Sequence, residues 1–434
     1  MFPMLAATIE FEWSNLWPFV ILIGISVLIP VFLSICRLKF IPVFVVEIVV
    51  GIIVGIIVSK SETIRNMNIF GEFNDKGIFE FNALTAGLYS IGMAILLFLS
   101  GLDTDFSVLK TPMKKNHKTL NAFALSWILI GSVFGVSILG SLIFIPYYEK
   151  VWLGIPLMTV VFSSTFASLV IPLVHSENLH NTTIGKIICT YSTIAELLSI
   201  ILISVLLVIS HHSKLWLIIV FIAILVLTFL LKKYSKINVF KDKMEGIVFL
   251  GVRMIIFVLL ACVIITAQTG VEFILGAFLA GMIMRATKLK HKTAEIFEAI
   301  GYGLFVPIFY LLVGISIGVA TDFANPTTLL LIGVLFIMLV ITKAPFLALL
   351  KWYPARSAIP TMFIVSSTII VALACEHFHA IDHEFLDALV IASALTCIIP
   401  PIFFDIDKKY GTSRPKYDPI IIDPHDIEKT HSEH

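Results

Sequence analysis

The chain alternates long apolar stretches with short polar segments. A run of about 17–25 apolar residues is long enough to cross a lipid bilayer as a helix. Thirteen stretches are close to that length, and we predict one transmembrane helix for each. The predicted spans are residues 17–36, 41–58, 86–102, 119–145, 151–174, 186–210, 214–232, 247–266, 271–286, 301–320, 327–350, 358–377 and 384–404. The pattern therefore predicts an all-α polytopic membrane protein surrounded by lipid.

Basic residues are distributed unevenly among the segments that join the predicted spans. If these segments alternate between two sides, 23 of the 30 Lys and Arg residues lie on one side and five on the other. The basic side of a membrane protein faces the cytoplasm. We therefore predict an extracellular N-terminal segment (residues 1–16), a transmembrane domain (17–405) and a cytoplasmic C-terminal tail (406–434).

The tail is polar and short, and we expect it to be disordered. It contains no glycine-rich nucleotide motif, so we expect no nucleotide-binding regulatory domain in this chain. The first sixteen residues lack the positive flank of a signal peptide. Thirteen spans without a targeting peptide indicate a multi-pass protein of a bacterial plasma membrane.

The composition excludes several other classes of protein. Hydrophobic residues make up 59% of the chain, charged residues 14%, and the formal net charge is +1. Soluble domains carry about 25% charged residues, so this chain lacks the polar surface of a soluble enzyme. A net charge near zero disfavours a nucleic-acid partner. The five Cys residues lie in apolar stretches without a C-x-x-C pair, and we expect free thiols, no resident metal, no cofactor and no enzymatic activity.

Three charged residues lie deep inside predicted spans. At 1.5 Å per residue, Glu196 is about 15 Å, Lys343 about 12 Å and Glu47 about 9 Å from the cytoplasmic end of its span. Charges at such depth are functional candidates. Glu196 is interpreted as an ion- and proton-binding carboxylate or as a neutral structural carboxyl. Lys343 is a functional charge, a fixed counter-ion or a cap for the carbonyls of a broken helix, and Glu47 is either functional or structural.

A second signal is the tripeptide Ser-Ser-Thr, which occurs near the middle of two spans that run in opposite directions. The two copies are Ser163, Ser164, Thr165 and Ser366, Ser367, Thr368. Hydroxyl groups can satisfy the backbone where a membrane helix unwinds, and unwound backbone near the midplane forms ion sites in transporters. The pattern therefore indicates two discontinuous helices near the depth of Glu196 and Lys343.

Six motifs in a fixed order make residues 17–405 resemble the second branch of the monovalent cation:proton antiporter superfamily. They are R-L-K-F-I-P-V-F-V-V-E-I-V-V-G-I-I-V-G (37–55), L-L-F-L-S-G-L-D (96–103), F-S-S-T (162–165), L-G-A-F-L-A-G-M-I (275–283), F-V-P-I-F-Y-L-L-V-G (305–314) and A-L-T-C-I-I-P (394–400). The resemblance implies inverted repeats, two crossed discontinuous helices, a homodimer and an elevator-like shift of an ion-binding core.

The resemblance also assigns roles to individual residues. Glu196 takes the position of the family's ion-binding Asp, and Lys343 matches the family's intramembrane Lys. The position before the acid is Asp, Asn or Gln in the family, whereas this chain has Ala195. The usual polar pair is therefore Ala-Glu here, which leaves one carboxylate at the motif.

These observations lead to a functional prediction. Glu196 binds either one monovalent cation (Na⁺ or K⁺) or one proton, and Ser163, Ser164, Thr165 and unwound carbonyls complete the oxygen shell. Ser192, one turn before Glu196, adds a ligand or orients the carboxylate. One carboxylate predicts electroneutral exchange, unless Glu47 acts as a second carboxylate or Lys343 itself releases a proton. Two other functions stay open: a cation channel or uptake system on the same fold, and a non-transporting sensor derived from an antiporter.

Overall fold

The computed structural model describes most of the predicted spans. The described residues are 16–36, 42–65, 67–73, 79–103, 122–176, 183–210, 250–269, 273–286, 291–321, 323, 325–349, 359–362, 364, 368, 371 and 380–403. The predicted span 214–232, the residues Ser366 and Ser367, and the predicted tail lie outside them.

The described part of the chain is almost entirely helical. The helices are α1 (Trp17–Ile35), α2 (Val43–Lys60), α3 (Glu62–Arg65), α4 (Ala83–Asp103), α5 (Ala122–Ile143), α6 (Val151–Ser163), α7 (Ala167–Ser176), α8 (Thr183–Ser210), α9 (Leu250–Thr269), α10 (Phe273–Ala286), α11 (His291–Ile300), α12 (Val306–Ala320), α13 (Pro326–Ile341), α14 (Ala344–Leu349) and α15 (His383–Thr396). Short 3-10 turns cover Ile145–Tyr147 and Ile359–Met362, and a π-helical turn at Gly301–Phe305 joins α11 to α12.

Within the described ranges, seven helical stretches are long and apolar enough to cross a membrane. Shorter apolar helices add to them; these are Val151–Ser163, Ile187–Ile203, Gly251–Ile264 and Gly276–Arg285. This agrees with the predicted all-α polytopic membrane protein. The count of thirteen spans and the sidedness from the basic residues remain predictions.

A short β-hairpin lies between α3 and α4, where the apolar pattern predicts no regular element. Strands β1 (Gly71–Phe73) and β2 (Phe79–Phe81) pair antiparallel, with Glu72 opposite Glu80. Asn82 follows β2, and its side-chain oxygen accepts a hydrogen bond from the Thr85 backbone N–H at 3.0 Å. Asn82 therefore caps the start of α4.

The chain forms two compact units, and the boundary between them falls within α4. The first unit comprises Met1–Leu96 with His291–Thr321, and the second comprises Leu97–Lys290 with Asp322–His434. In the first unit, apolar side chains of α1, α2, α4 and α12 share one core. Its buried members are Leu22, Ile29, Leu33, Val58, Phe70, Leu88, Ile308, Leu311, Leu312 and Ile315.

Glycines let α2 and α12 pack side by side in the first unit. A Cβ atom on Gly51 would overlap the carbonyl oxygen of Leu311 and lie 2.9 Å from the Cα of Gly314. One turn later, a Cβ on Gly55 would lie 2.9 Å from the Cα of Gly318. The two helices therefore run parallel with their backbones in contact, which explains the glycines of motifs 37–55 and 305–314.

In the second unit, α5 packs against α6 and α8, and α14 contacts α5. The apolar cluster between these helices includes Leu129, Tyr191, Ala195 and Phe346. The rings of Tyr191 and Phe346 meet edge to face, with their centroids 4.7 Å apart. This cluster packs the middle of α8 against α5 and α14.

Two predicted spans are interrupted in the second unit. The span 151–174 consists of α6 and α7, and the span 327–350 consists of α13 and α14, with Thr342 and Lys343 between them. Pro345 explains the second interruption, because a proline ring lacks the N–H and clashes with the carbonyl four residues earlier. Lys343 therefore lies in a turn, rather than within a continuous helix.

Candidate ion-binding site

The candidate site lies where the predicted fifth span is interrupted. Helix α6 ends at Ser163, α7 begins at Ala167, and Ser164 has extended backbone angles of φ −68° and ψ 162°. Ser164 Oγ donates to the Val161 carbonyl at 2.8 Å, and Thr165 Oγ1 lies 2.8 Å from the Ser164 carbonyl. These hydroxyl groups bond carbonyls at the end of α6, where the regular helical hydrogen bonds stop, which explains why Ser-Ser-Thr occurs here.

Lys343 places its side-chain amino group at the end of α6. Its Nζ donates to the Ser164 carbonyl at 2.7 Å, and it lies 3.4 Å from the Ser163 carbonyl and 3.3 Å from Thr165 Oγ1. The side chain is 1% exposed. The carboxyl end of a helix carries partial negative charge, so the ammonium group is stabilised there. Of the interpretations left open by the sequence, this geometry corresponds to a cap for the carbonyls of a broken helix.

Glu196 occupies the other side of the interruption. Its Oε2 accepts a hydrogen bond from the backbone N–H of Ala167, the first residue of α7, at 2.9 Å. Its Oε1 accepts one from the Ser100 hydroxyl. The residue is 7% exposed. An amide at a helix start and the positive end of the helix dipole both stabilise a carboxylate, so α7 provides a favourable position for this buried acid.

Two glycines bring the end of α4, which carries Ser100, against α10. A Cβ on Gly101 would overlap the carbonyl oxygen of Phe278 and lie 3.2 Å from the Cα of Gly281. A Cβ on Gly281 would overlap the carbonyl oxygen of Phe98. The glycines belong to motifs 96–103 and 275–283, so these two motifs mark one close helix crossing next to Glu196's partner.

The 3-10 turn at Ile359–Met362, at the start of the predicted twelfth span, contacts the break in the fifth. Thr165 Oγ1 donates to the carbonyl of Thr361, in the 3-10 turn, at 3.2 Å. Further along, Thr368 is helical and buried, and its backbone N–H and hydroxyl donate to the Ile364 carbonyl at 3.2 and 3.1 Å. The described contact between the two predicted spans is therefore the one between Thr165 and the 3-10 turn. The crossing of two discontinuous helices and the inverted repeat remain predictions.

Ser163 and Ser192 make local contacts in the structure. The Ser163 hydroxyl donates to the Val160 carbonyl at 3.1 Å, and the Ser192 hydroxyl donates to the Ile188 carbonyl at 2.8 Å. Both hydroxyl hydrogens thus bond their own helices, while the oxygen lone pairs remain capable of accepting or coordinating. A role for these hydroxyl groups as ion ligands stays a prediction.

Glu47 and Ala195 differ in their surroundings. Glu47 belongs to the first unit, is 3% exposed, and lies on α2 one turn before Gly51. Ala195 is buried in the apolar cluster with Tyr191 and Phe346. The position for which the family resemblance implies a polar residue is therefore packed here by aromatic and aliphatic side chains.

Sequence reasoning missed three groups that complete the site. They are the Ser100 hydroxyl, the Ala167 backbone N–H, and the Tyr191 hydroxyl, which donates to the Ser163 carbonyl at 3.3 Å. The one available signal for Ser100 is its position in L-L-F-L-S-G-L-D, as a polar residue directly before a glycine in an apolar helix. Backbone donors and long-range contacts carry no such signal in the sequence.

Comparisons with known proteins identify the family of this chain. The family described as "Sodium/hydrogen exchanger, transmembrane" matches residues 5–405. The chain is 29% identical over 332 residues to the putative Na(+)/H(+) antiporter YjbQ of Bacillus subtilis, covering 73% of this chain and 53% of that protein. It therefore spans about half the length of that relative.

Two other relatives have similar names. The probable Na(+)/H(+) antiporter 3 of Methanocaldococcus jannaschii is 26% identical over 336 residues, which is 73% of this chain and 81% of that protein. The Na(+)/H(+) antiporter of Enterococcus hirae is 25% identical over 350 residues, which is 77% of this chain and 86% of that protein. These relatives are named as transporters, in agreement with the predicted non-enzymatic class. The chain is therefore a multi-pass membrane protein that belongs to the sodium/hydrogen exchanger family and, with it, to the monovalent cation:proton antiporters.

Proposed function

We propose that this protein exchanges a monovalent cation, Na⁺ or K⁺, for H⁺ by alternating access. The observation that carries the proposal is the buried Glu196 carboxylate, which accepts hydrogen bonds from Ser100 and from the first amide of α7. The names of the relatives in Bacillus subtilis and Enterococcus hirae support Na⁺ and H⁺ as the exchanged ions.

Competition between the cation and the proton for the Glu196 carboxylate couples their transport. Charge inside a membrane protein has to be compensated, so Glu196 holds a proton or a cation, and each displaces the other. Ser164, Thr165 and the carbonyls of the helix break lie on the same interruption and supply oxygen atoms of the kind that alkali cations coordinate. Exchange then requires the loaded carboxylate to face the two sides of the membrane in turn.

Lys343 acts in this proposal as a fixed positive charge. Its Nζ lies within hydrogen-bond distance of three oxygen atoms, the Ser163 and Ser164 carbonyls and Thr165 Oγ1, which match the three donors of an ammonium group. A Lys that keeps its proton contributes none to the exchange. With apolar Ala195 before Glu196, one proton is exchanged for one cation, and transport is electroneutral.

The test is proton flux in proteoliposomes that contain the purified protein and an internal pH dye. Adding NaCl, KCl or LiCl outside should drive protons out of the lumen, and the salt that acts at the lowest concentration identifies the cation. Glu196→Gln should abolish the response. The matched control is Ser137→Ala, which removes a buried hydroxyl that bonds its own helix on α5.

The outcomes separate the candidate functions. Exchange that persists in Glu196→Gln contradicts the assignment of the site. Cation flux without counter-flux of protons indicates a channel or uptake system. An intact, folded protein that moves neither ion indicates a sensor.

A further inference from the structure

Ser100 differs from the other hydroxyl groups near the site, because its bond goes to the acid itself. Its side chain is 3% exposed, and its hydroxyl donates to Glu196 Oε1. Ser163, Ser164 and Ser192 instead donate to backbone carbonyls of their own helices. The contact spans 96 residues of sequence and joins α4 to α8.

The two donors to Glu196 are not equivalent. The Ala167 N–H is part of the backbone at the start of α7, so its hydrogen keeps pointing at the carboxylate. The Ser100 hydroxyl can rotate about its Cβ–Oγ bond, and it has one hydrogen and two lone pairs. It can donate to a carboxylate, accept from a protonated carboxyl, or turn a lone pair toward a cation that binds the carboxylate.

A second hydroxyl near Glu196 lacks a partner. Thr193 Oγ1 is buried and has no hydrogen bond among the residues that the structure describes, and the side chain is 4% exposed. Buried polar atoms are nearly always satisfied, and an exception calls for a water or an ion. Thr193 lies three residues before Glu196 on α8, on the neighbouring part of the same helix face. Among the described residues this oxygen has no partner, and a water or an ion bound at Glu196, one turn away, would satisfy it.

We propose that Ser100 is a ligand of the transported cation and a determinant of cation affinity, with Thr193 as a second hydroxyl ligand. Its hydroxyl hydrogen-bonds Glu196 when the carboxyl is protonated, and its oxygen coordinates the cation when the cation replaces the proton. This inference rests on the proposed exchange at Glu196, and it adds α4 to the elements that contact the ion.

The test compares Ser100→Ala, Ser100→Cys and Thr193→Val with Ser137→Ala in the proteoliposome assay, using NaCl and KCl. Loss of an oxygen ligand weakens cation binding in the loaded state, so Ser100→Ala should raise the KM for the cation at least about tenfold, the effect of one hydrogen bond to a charged group. The maximal rate should change much less than the KM. Ser137→Ala should keep the wild-type KM.

Ser100→Cys separates coordination from packing. A thiol is close to a hydroxyl in size and is a weak donor, but alkali cations bind oxygen rather than sulfur. A ligand role therefore predicts a raised KM for Ser100→Cys as well, whereas a packing role predicts wild-type behaviour. Thr193→Val keeps the side-chain shape and should also raise the KM.

The proposal is overturned if Ser100→Ala and Ser100→Cys keep a KM within twofold of the wild-type protein. It is also overturned if both variants lower the maximal rate and leave the KM unchanged. Failure of the proposed function has a different signature, because the wild-type protein itself would then show no cation-driven proton flux.

Discussion

Lys343 and Glu196 stabilise opposite ends of the same helix interruption. The Lys343 ammonium donates to the Ser164 carbonyl at the end of α6, and the Glu196 carboxylate accepts from the Ala167 amide at the start of α7. A helix has partial negative charge at its carboxyl end and partial positive charge at its amino end, so each side chain faces the opposite sign. These two buried side chains therefore satisfy backbone groups that the break leaves without regular helical partners.

Replacing Lys343 with Met should destabilise the protein. The Ser164 carbonyl would lose the short hydrogen bond from the lysine amino group, and a hydrogen bond to a charged group contributes about 1.5–3 kcal/mol. We expect the Tm in detergent to fall by about 5 °C or more, at a few degrees per kcal/mol. Lys60→Met, at an exposed position at the end of α2, is the control and should keep its Tm. An unchanged Tm in Lys343→Met would show that the ammonium group is not the cap.

The crossing of α2 and α12 predicts a sharp difference between two glycines of the first unit. Gly51→Ala should lower the Tm, because the added Cβ would overlap the Leu311 carbonyl. Gly24→Ala on α1 meets nothing within 4 Å and should keep or raise the Tm, since Ala favours helix by up to about 1 kcal/mol. Thermal unfolding of both variants in the same detergent checks this. Equal Tm values would contradict the close packing.

A substitution at the crossing of α4 and α10, away from Glu196 itself, should affect transport. In Gly281→Ala the added Cβ would overlap the Phe98 carbonyl and displace the end of α4, which carries Ser100. We expect a raised KM for the cation in proteoliposomes. Gly135→Ala on α5 has open space around the added Cβ and should behave as wild type. A wild-type KM in Gly281→Ala would mean that the crossing does not position Ser100.

The single acid at the motif predicts a response to voltage. At zero pH gradient, an imposed membrane potential should not drive exchange by the wild-type protein, because one charge moves in each direction. Ala195→Asp adds a second carboxylate and should make exchange sensitive to the potential. It should also lower the Tm, because the new acid lies among Tyr191, Ile194 and Phe346. Potential-driven exchange by the wild-type protein would contradict electroneutral transport.

Much of the site was predictable from local pattern. The Ser-Ser-Thr tripeptide predicted a discontinuous helix, and the structure has α6 and α7 separated by residues 164–166. The depth of Glu196 and Lys343 along their spans predicted that both lie near that break. Ionisable residues deep in a bilayer are costly and are therefore functional candidates. Each of these signals depends on neighbours in the sequence or on the uniform rise of a helix.

Other features were not predictable. The span 327–350 was expected to be continuous, although Pro345 made an interruption possible. The sequence pointed to Ser192 and not to Ser100; a ligand role of Ser192 stays a prediction, while the Ser100 hydroxyl donates to Glu196. A Ser in a membrane helix bonds its own backbone or a distant partner, and only the packing selects between them.

The sequence by itself determined the membrane class, the apolar segments, the family motifs and the buried acid at position 196, because each depends on hydrophobicity and spacing along the chain. Tertiary structure alone decided which groups meet. Glycines at positions 101 and 281 let two helices touch, which places the Ser100 hydroxyl against a carboxylate 96 residues away. Lys343 reaches carbonyls 179 and 180 residues away for the same reason. The bilayer core has no water to solvate a buried polar group, so its partners are the groups that helix packing places next to it. The local sequence does not determine which groups these are.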